Sequence, residues 1–282
     1  MKHLQTLAPL SLAIACFWLQ SCSKPSTSTQ ATAQPQGKLV LTGSSTVAPL
    51  TAEIAKRYEA EHPGVRIDVQ SGGSSRGIAD ARQGVADIGM VSRTLKENEK
   101  DLQAFTVAND GVSVILHKDN PVNQLSDQQV IEIYTKRITN WKALGGSDAP
   151  ITVVNKAEGR STLELFANYF KLEPKNIKAD VVIGDNEQGI KTVAGNPNAI
   201  GYVSIGSAEY GATHGTPIKL LPVKGIEASI ANVAAGKFPI ARPLNLVTKT
   251  APTGLQQEFI DFARSPKVQD IVKQQYFVPP TQ

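Results

Sequence analysis

Glycine, serine and threonine recur at three places where a short apolar strand pattern gives way to an amphipathic helix pattern. The segments are 39–46 (LVLTGSST) ahead of a helix at about 49–61, 67–75 (IDVQSGGSS) ahead of one at 76–84, and 151–162 (ITVVNKAEGRST) ahead of one at 163–171. A strand-to-helix junction of this kind turns backbone N–H groups and hydroxyls toward one point, with the positive end of the helix dipole behind them. Such an arrangement holds an oxyanion without a metal. Three junctions in one chain predict a site built to bind an anion.

Each junction also has a plainer reading. In Gly43-Ser44-Ser45-Thr46, Ser45 or Thr46 serves as a helix cap with Pro49 near the first turn. In Gly72-Gly73-Ser74-Ser75-Arg76-Gly77, two glycines let the backbone approach a ligand, and two hydroxyls can donate at a helix start. No Gly-Lys-Ser/Thr closes that loop, so it is not a nucleotide-binding P-loop. Ser161-Thr162-Leu163-Glu164 fits a capping box, with Ser161 as cap and Glu164 reaching back. Lys156, Glu158 and Arg160 crowd charge into the turn before it, which is unusual for a plain cap. Ser92-Arg93 follows a buried strand pattern, at the carboxyl edge where an α/β sheet presents binding groups. A solvent-facing arginine is the alternative there.

Other chemistries find little support. His3, His62, His117 and His214 have no metal-ligand spacing. There is no Gly-x-Ser-x-Gly elbow, and no serine has a base evident beside it. Glu97 and Glu99 read as a solvated face. The formal net charge is +4, and the basic residues are scattered rather than interleaved with aromatics, which argues against a nucleic-acid surface.

The elements that must position these groups begin after a leader. Lys2 and His3 form a thin basic region, and residues 4–19 are mostly apolar but short for a membrane span. Leu19-Gln20-Ser21-Cys22 resembles a bacterial lipobox, which implies an acylated Cys22 as the mature N-terminus. Cys16 then falls in the discarded leader, and no cysteine is left for a disulfide or a thiolate site. Residues 23–36 are polar and low in complexity, a tether rather than a domain.

From about residue 37, strand and helix patterns alternate, predicting an α/β fold with mainly parallel sheets. Leu50, Ile54 and Tyr58 stand at helical spacing, and His62-Pro63-Gly64 ends that helix. Strands at 86–91 and 112–116 lead to the polar turn His117-Lys118-Asp119-Asn120-Pro121, a crossing into a second lobe over 119–242. Ser126 heads a helix there. Strand 151–154, helix 162–171, strand 180–183, helix 187–195 and strand 200–203 follow. Phe238-Pro239-Ile240-Ala241-Arg242-Pro243 reads as the return crossing. Final helices at about 252–264 and 266–275 then pack on a first lobe made of 37–118 and 243–282. Two crossings imply a hinge and an interlobe cleft.

Taken together, Thr42-Gly43-Ser44-Ser45-Thr46-Val47-Ala48-Pro49, Ser71-Gly72-Gly73-Ser74-Ser75-Arg76-Gly77-Ile78, and Ala86-Asp87-Ile88-Gly89 with Ser92-Arg93 resemble the periplasmic phosphate-binding family of the high-affinity Pst transporter. Ala199-Ile200-Gly201-Tyr202-Val203 and Pro239-Ile240-Ala241-Arg242-Pro243-Leu244 extend the likeness in the same order. The resemblance implies a two-lobed type II periplasmic-binding-protein fold. It matches Ser45 and Thr46 to the first phosphate loop and Ser74 to the second, with Ser75 beside it. Ser92 and Arg93 fall where some members place an acid and others a Ser-Arg pair. The family's second-lobe run of Arg, two residues and Gly-Ser-Gly-Thr becomes Lys156-Ala157-Glu158-Gly159-Arg160-Ser161-Thr162 here. Thr162 keeps its place, Ser161 replaces a glycine, and Lys156 replaces the arginine and its planar fork, which Arg160 can supply from nearby.

The expected protein is thus a monomeric, lipid-anchored extracytoplasmic binding protein for inorganic phosphate. It would need no cofactor and would deliver its ligand to an ABC permease of the Pst type. Ser45, Thr46, Ser74, Ser75, Ser92 and Arg93 would face Lys156, Arg160, Ser161 and Thr162 across the anion, with Glu158 accepting phosphate's proton. The alternatives are a binding protein for another tetrahedral oxyanion, a sensor or surface lipoprotein that feeds no transporter, and a phosphate-ester hydrolase using Ser74 or Ser161.

Overall fold

The computed structural model describes residues 35–280. The leader, Cys22 and all but the end of the tether lie outside the described residues.

The chain opens with strand β1 (Gly37–Gly43), helix α1 (Val47–Glu61), β2 (Val65–Ser71), α2 (Ser74–Gln83) and β3 (Ile88–Val91). Strand β1 lies parallel between β2 and β3. The long strand β4 (Gln103–His117) and helix α3 (Asp127–Tyr134) follow, then β5 (Thr152–Lys156), α4 (Ser161–Phe170), β6 (Val181–Ile183), α5 (Asn186–Ala194) and β7 (Ala199–Ser204). Strand β5 lies parallel between β6 and β7, which repeats the first arrangement. Helix α6 (Ile205–Thr213), β8 (Ile218–Leu220), α7 (Ile230–Ala234), β9 (Ala241–Thr248), α8 (Gly254–Arg264) and α9 (Gln269–Gln274) complete the chain. The strand order is β2-β1-β3-β9-β4-β7-β5-β6, with β8 also paired to β4.

Strand β4 joins the two lobes. Its first part pairs antiparallel with β9, and its second part pairs antiparallel with β7 and β8. Val107 and Ala108 pack in the first core with Leu41, Leu50 and Ile88, whereas Val112, Val114 and Leu116 pack in the second with Phe166 and Tyr202. The passage between lobes is therefore at about 109–111, within a strand, and not at the polar turn His117–Pro121 expected from the sequence. The bulge between Thr106 and Ala108 breaks the alternation that would have marked this half of β4 as a strand. Tyr58 of α1 meets Phe259 and Phe262 of α8 edge-on, with ring centroids 5.6 Å and 5.0 Å apart, so the end of the chain packs on the first core.

All three junction helices begin two residues earlier than the apolar periodicity predicts: at Val47, Ser74 and Ser161. The first N–H groups of a helix need no intrahelical partner, so polar junction residues can form the first turn. Serines 74, 75 and 161 and Thr162 thereby stand in opening turns. Helix α2 lies close on the sheet because Gly77 has no side chain: a Cβ there would come within 2.7 Å of the Met90 carbonyl oxygen. In the second lobe Phe166 of α4 stacks on Tyr202 of β7, rings 3.8 Å apart and 6° from parallel. That contact fixes the start of α4 relative to the sheet.

Candidate functional site

The junctions lie past the carboxyl ends of β1, β2 and β5, and they meet. Ser44, Ser45, Thr46, Gly73, Ser74, Ser92, Arg160, Ser161 and Thr162 enclose a small cavity, with about 150 Å³ of space between atoms. None of that space admits a water-sized sphere, so the loops here pack on one another and a small ligand would enter only as they part. The cavity lining is hydroxyl, glycine and guanidinium, with no carboxylate among the described residues.

One residue ties the lining together. Arg242, on β9, has a fully buried side chain paired with the equally buried Asp110 at 2.8 Å. The two are register partners across β9 and β4. Asp110 Oδ2 accepts from Nε at 3.0 Å and from Nη2, and Asp110 Oδ1 accepts from the Gly206 N–H at 3.2 Å. The far side of the guanidinium donates to Thr162 Oγ1 at 2.9 Å, Thr46 Oγ1 at 3.2 Å and Ser92 Oγ at 3.3 Å. Hydroxyls from three loops thus converge on one fixed cation. Arginine suits this place because its planar fork serves several acceptors at once.

The remaining bonds complete the cluster. Ser44, which sequence reasoning passed over, accepts from the N–H groups of Thr46 and Val47 at 3.2 Å and 3.3 Å, and donates to Ser92 Oγ at 2.9 Å. Ser44, not Ser45 or Thr46, is therefore the residue that serves the start of α1. Ser74 Oγ accepts from the Ser92 N–H at 3.1 Å and from Ser161 Oγ of the other lobe. Gly73 holds φ at +96°, and a Cβ there would lie 2.8 Å from the Gly159 carbonyl oxygen and 2.9 Å from Arg160 Cδ. Only glycine lets this loop pass under Arg160. The Nη1 of Arg160 is buried and has no hydrogen-bond partner.

Four expected site residues stand elsewhere. The Arg93 guanidinium is turned away from the cavity into a bidentate pair with Glu99, at 2.6 Å and 2.9 Å. Burial would lower its pKa, but Glu99 and Glu164 outweigh that and raise it. Glu99 is correspondingly buried rather than on a solvated face. Ser75 is exposed, and only its backbone N–H crosses the cleft, to the Gly159 carbonyl at 3.2 Å. Glu158 is exposed and does not line the cavity.

Lys156 is buried but set back from the lining. Its ammonium donates to the Asp185 carbonyl and, at 3.1 Å, to Asn186 Oδ1. Asn186 Nδ2 in turn donates to Thr46 Oγ1 at 3.1 Å, so Lys156 reaches the cavity through Asn186. Burial pulls the Lys156 pKa down to about 7; Asp185 opposes the fall, and Arg242 and Arg160 add to it. An unfolded chain holds this proton up to about pH 10.4, while the folded one releases it near pH 7. Stability without an anion should therefore rise with pH between those limits, by at most about 1.4 kcal/mol per pH unit. Denaturant melts from pH 6 to 9 should show this rise, and Lys156→Gln should flatten it. A rise of the same slope in Lys156→Gln would place its origin elsewhere.

Sequence reasoning missed Asp110, Asn186 and the role of Arg242. A charged residue inside the apolar run Ile240-Ala241-Arg242-Pro243-Leu244 was the available signal for Arg242, since a buried charge requires a partner.

Residues 28–267 match the model of a PBP superfamily domain. The phosphate-binding protein PstS of Bacillus subtilis is 32% identical over 253 residues, covering 87% of this chain and 81% of that protein. A phosphate ABC transporter substrate-binding protein from Clostridium perfringens, solved with bound phosphate, superposes with a TM-score of 0.79 at 34% identity, over 87% of this chain and all of that one. An ABC-type phosphate transport receptor from Vibrio cholerae superposes with a TM-score of 0.69 at 29% identity, over 86% of this chain.

Proposed function

Because this chain belongs to the PBP superfamily, among proteins similar to PstS, we propose that it binds inorganic phosphate between its lobes for delivery to an ABC permease. The observation that carries the reading is Arg242, a buried guanidinium that gathers Thr46, Ser92 and Thr162. These hydroxyls now accept from the cation, and Ser92 and Thr46 accept also from Ser44 and Asn186. A tetrahedral anion would take up the same donors, add the first-turn N–H groups of α1, α2 and α4, and shed its water shell as the lobes close. Strands β4 and β9, which run side by side through the passage, would form the hinge.

Phosphate differs from sulfate near neutral pH in keeping a proton, so selecting it calls for an acceptor. Glu158 is outside the cavity, and Asp110 is taken up by Arg242 and Gly206. A hydroxyl such as Ser92 Oγ is then the acceptor at hand. A hydroxyl can also donate to sulfate, so sulfate should compete measurably. Calorimetry with phosphate, sulfate, arsenate and molybdate tests the proposal. Phosphate should bind tightest, and no heat with phosphate would sink the reading.

The proposal includes no catalytic step. Ser74 and Ser161, the nucleophiles a hydrolase would use, bond each other. Release of phosphate from an aryl phosphate ester would contradict this. We further propose that Cys22 is acylated and tethers the protein to a membrane on its extracytoplasmic side. Among the described residues no helix is long and apolar enough to cross one. Two or more acyl chains give durable anchoring where one does not. Cys22→Ala should release the protein from membranes, and mass spectrometry of the mature protein should find a lipidated Cys22. An unmodified N-terminus beyond Cys22 would refute the anchor.

A further inference from the structure

Ser161 and Glu164 have the sequence of a capping box, yet α4 carries no side-chain cap. Both side chains cross the cleft instead. Ser161 meets Ser74, and Glu164 Oε2 lies 3.0 Å from Arg93 Nε and 2.8 Å from Lys96 Nζ. Arg93 and Lys96 follow β3 in the first lobe, whereas Glu164 stands in the first turn of α4 in the second. The contact is partly dry: the side chains of Arg93 and Glu164 are 6% and 22% exposed. The Arg93 N–H is not aligned on Glu164, so this arm acts as a charge contact rather than a directed hydrogen bond.

The first lobe holds Arg93 ready. Glu99 takes both terminal nitrogens, which leaves the Nε edge toward α4. Separating the lobes would keep the Arg93–Glu99 pair intact and strip Glu164 of both its cations. Glu164 itself does not line the anion cavity.

We propose that Glu164 is a closure latch, whose ion pairs with Arg93 and Lys96 form only when the lobes meet and prolong the residence of the bound anion. This rests on the reading that the lobes close over phosphate. A contact made only in the closed state slows dissociation and leaves the encounter with the open state nearly unchanged.

The test is release of radiolabelled inorganic phosphate from the full-length protein, chased with excess unlabelled phosphate. Glu164→Gln keeps the shape and removes the charge, and release should become about tenfold faster. Lys96→Ala removes the exposed arm alone and should speed release by about two- to threefold. Association rates and the phosphate-free melting temperature should stay near the wild type in both variants. If Glu164→Gln releases phosphate at the wild-type rate while the wild type binds normally, the latch is overturned and the phosphate reading stands. A fall in the phosphate-free melting temperature without faster release would make Glu164 a structural residue and also overturn the latch. Failure of the wild type to bind phosphate would remove the underlying reading and the latch with it.

Discussion

Replacing Arg242 with alanine is expected to weaken phosphate binding more than any other single change, by about 2–5 kcal/mol, or roughly thirtyfold to a few thousandfold. The anion would lose the buried cation beneath it, and Thr46, Ser92 and Thr162 would lose the group that aims them. The same change leaves Asp110 buried without its partner, which should destabilise the fold by about 3–5 kcal/mol. Binding loss and unfolding must therefore be separated. Arg242→Lys keeps a charge against Asp110 and loses the planar fork, so it should stay folded and bind weakly. A double variant, Arg242→Met with Asp110→Leu, removes both charges. It should recover most of the stability and none of the binding, because a buried ion pair replaced by apolar groups of similar size is often neutral for stability. Calorimetry paired with denaturant melts reads both quantities. Wild-type affinity in a folded Arg242→Lys variant would show that the anion does not depend on this fork.

The sequence allowed the three junctions to be read because each combines a strand period, a hydroxyl-rich turn and a helix period within a dozen or so residues. It could not say which hydroxyls face inward. Ser74 and Ser75 are adjacent and chemically alike, yet one is buried in the cavity and the other is exposed, because a helix turns about 100° per residue. Arg93 and Arg242 are also alike in type, and their roles are decided by their partners. Glu99, six residues on, and the distant Glu164 claim Arg93, whereas Asp110 holds Arg242 from 132 residues away. The Arg242 partnership has no local signature, and the spacing of Arg93 and Glu99 does not by itself say that the two are buried together. The first half of β4 was hidden for a different reason. Its bulge and the polar residues Thr106 and Asp110, which bond Asn245 and Arg242 of β9, break the pattern that would mark a strand. Helix α6 was missed because glycines at 206 and 211 weaken its helix signal, and Gly206 is needed for close contact with the Tyr276 carbonyl, 2.3 Å from where a Cβ would sit.

Arg160 gives the second large expected effect. Its Nη1 is buried without a hydrogen-bond partner beside a cavity of hydroxyls, and an unsatisfied buried N–H on a cation is costly. An anion in the cavity would relieve that cost, and no such gain is open to Lys156, whose ammonium is already bonded to Asp185 and Asn186. Arg160→Ala should therefore weaken phosphate by about 2 kcal/mol or more, roughly thirtyfold. It should leave the phosphate-free protein about as stable as the wild type, since with the lobes apart Arg160 is open to water and its loss breaks no bond that holds the fold. This combination separates Arg160 from Arg242, whose loss harms both properties. Arg160 is also part-exposed, so its share of the affinity should shrink in high salt, while that of fully buried Arg242 should persist. Titrations of wild type and Arg160→Ala at low and high ionic strength measure the gap between them. A gap that is absent at low salt would remove Arg160 from the site, and one that does not narrow with salt would mean that Arg160 is fully enclosed once the anion is bound.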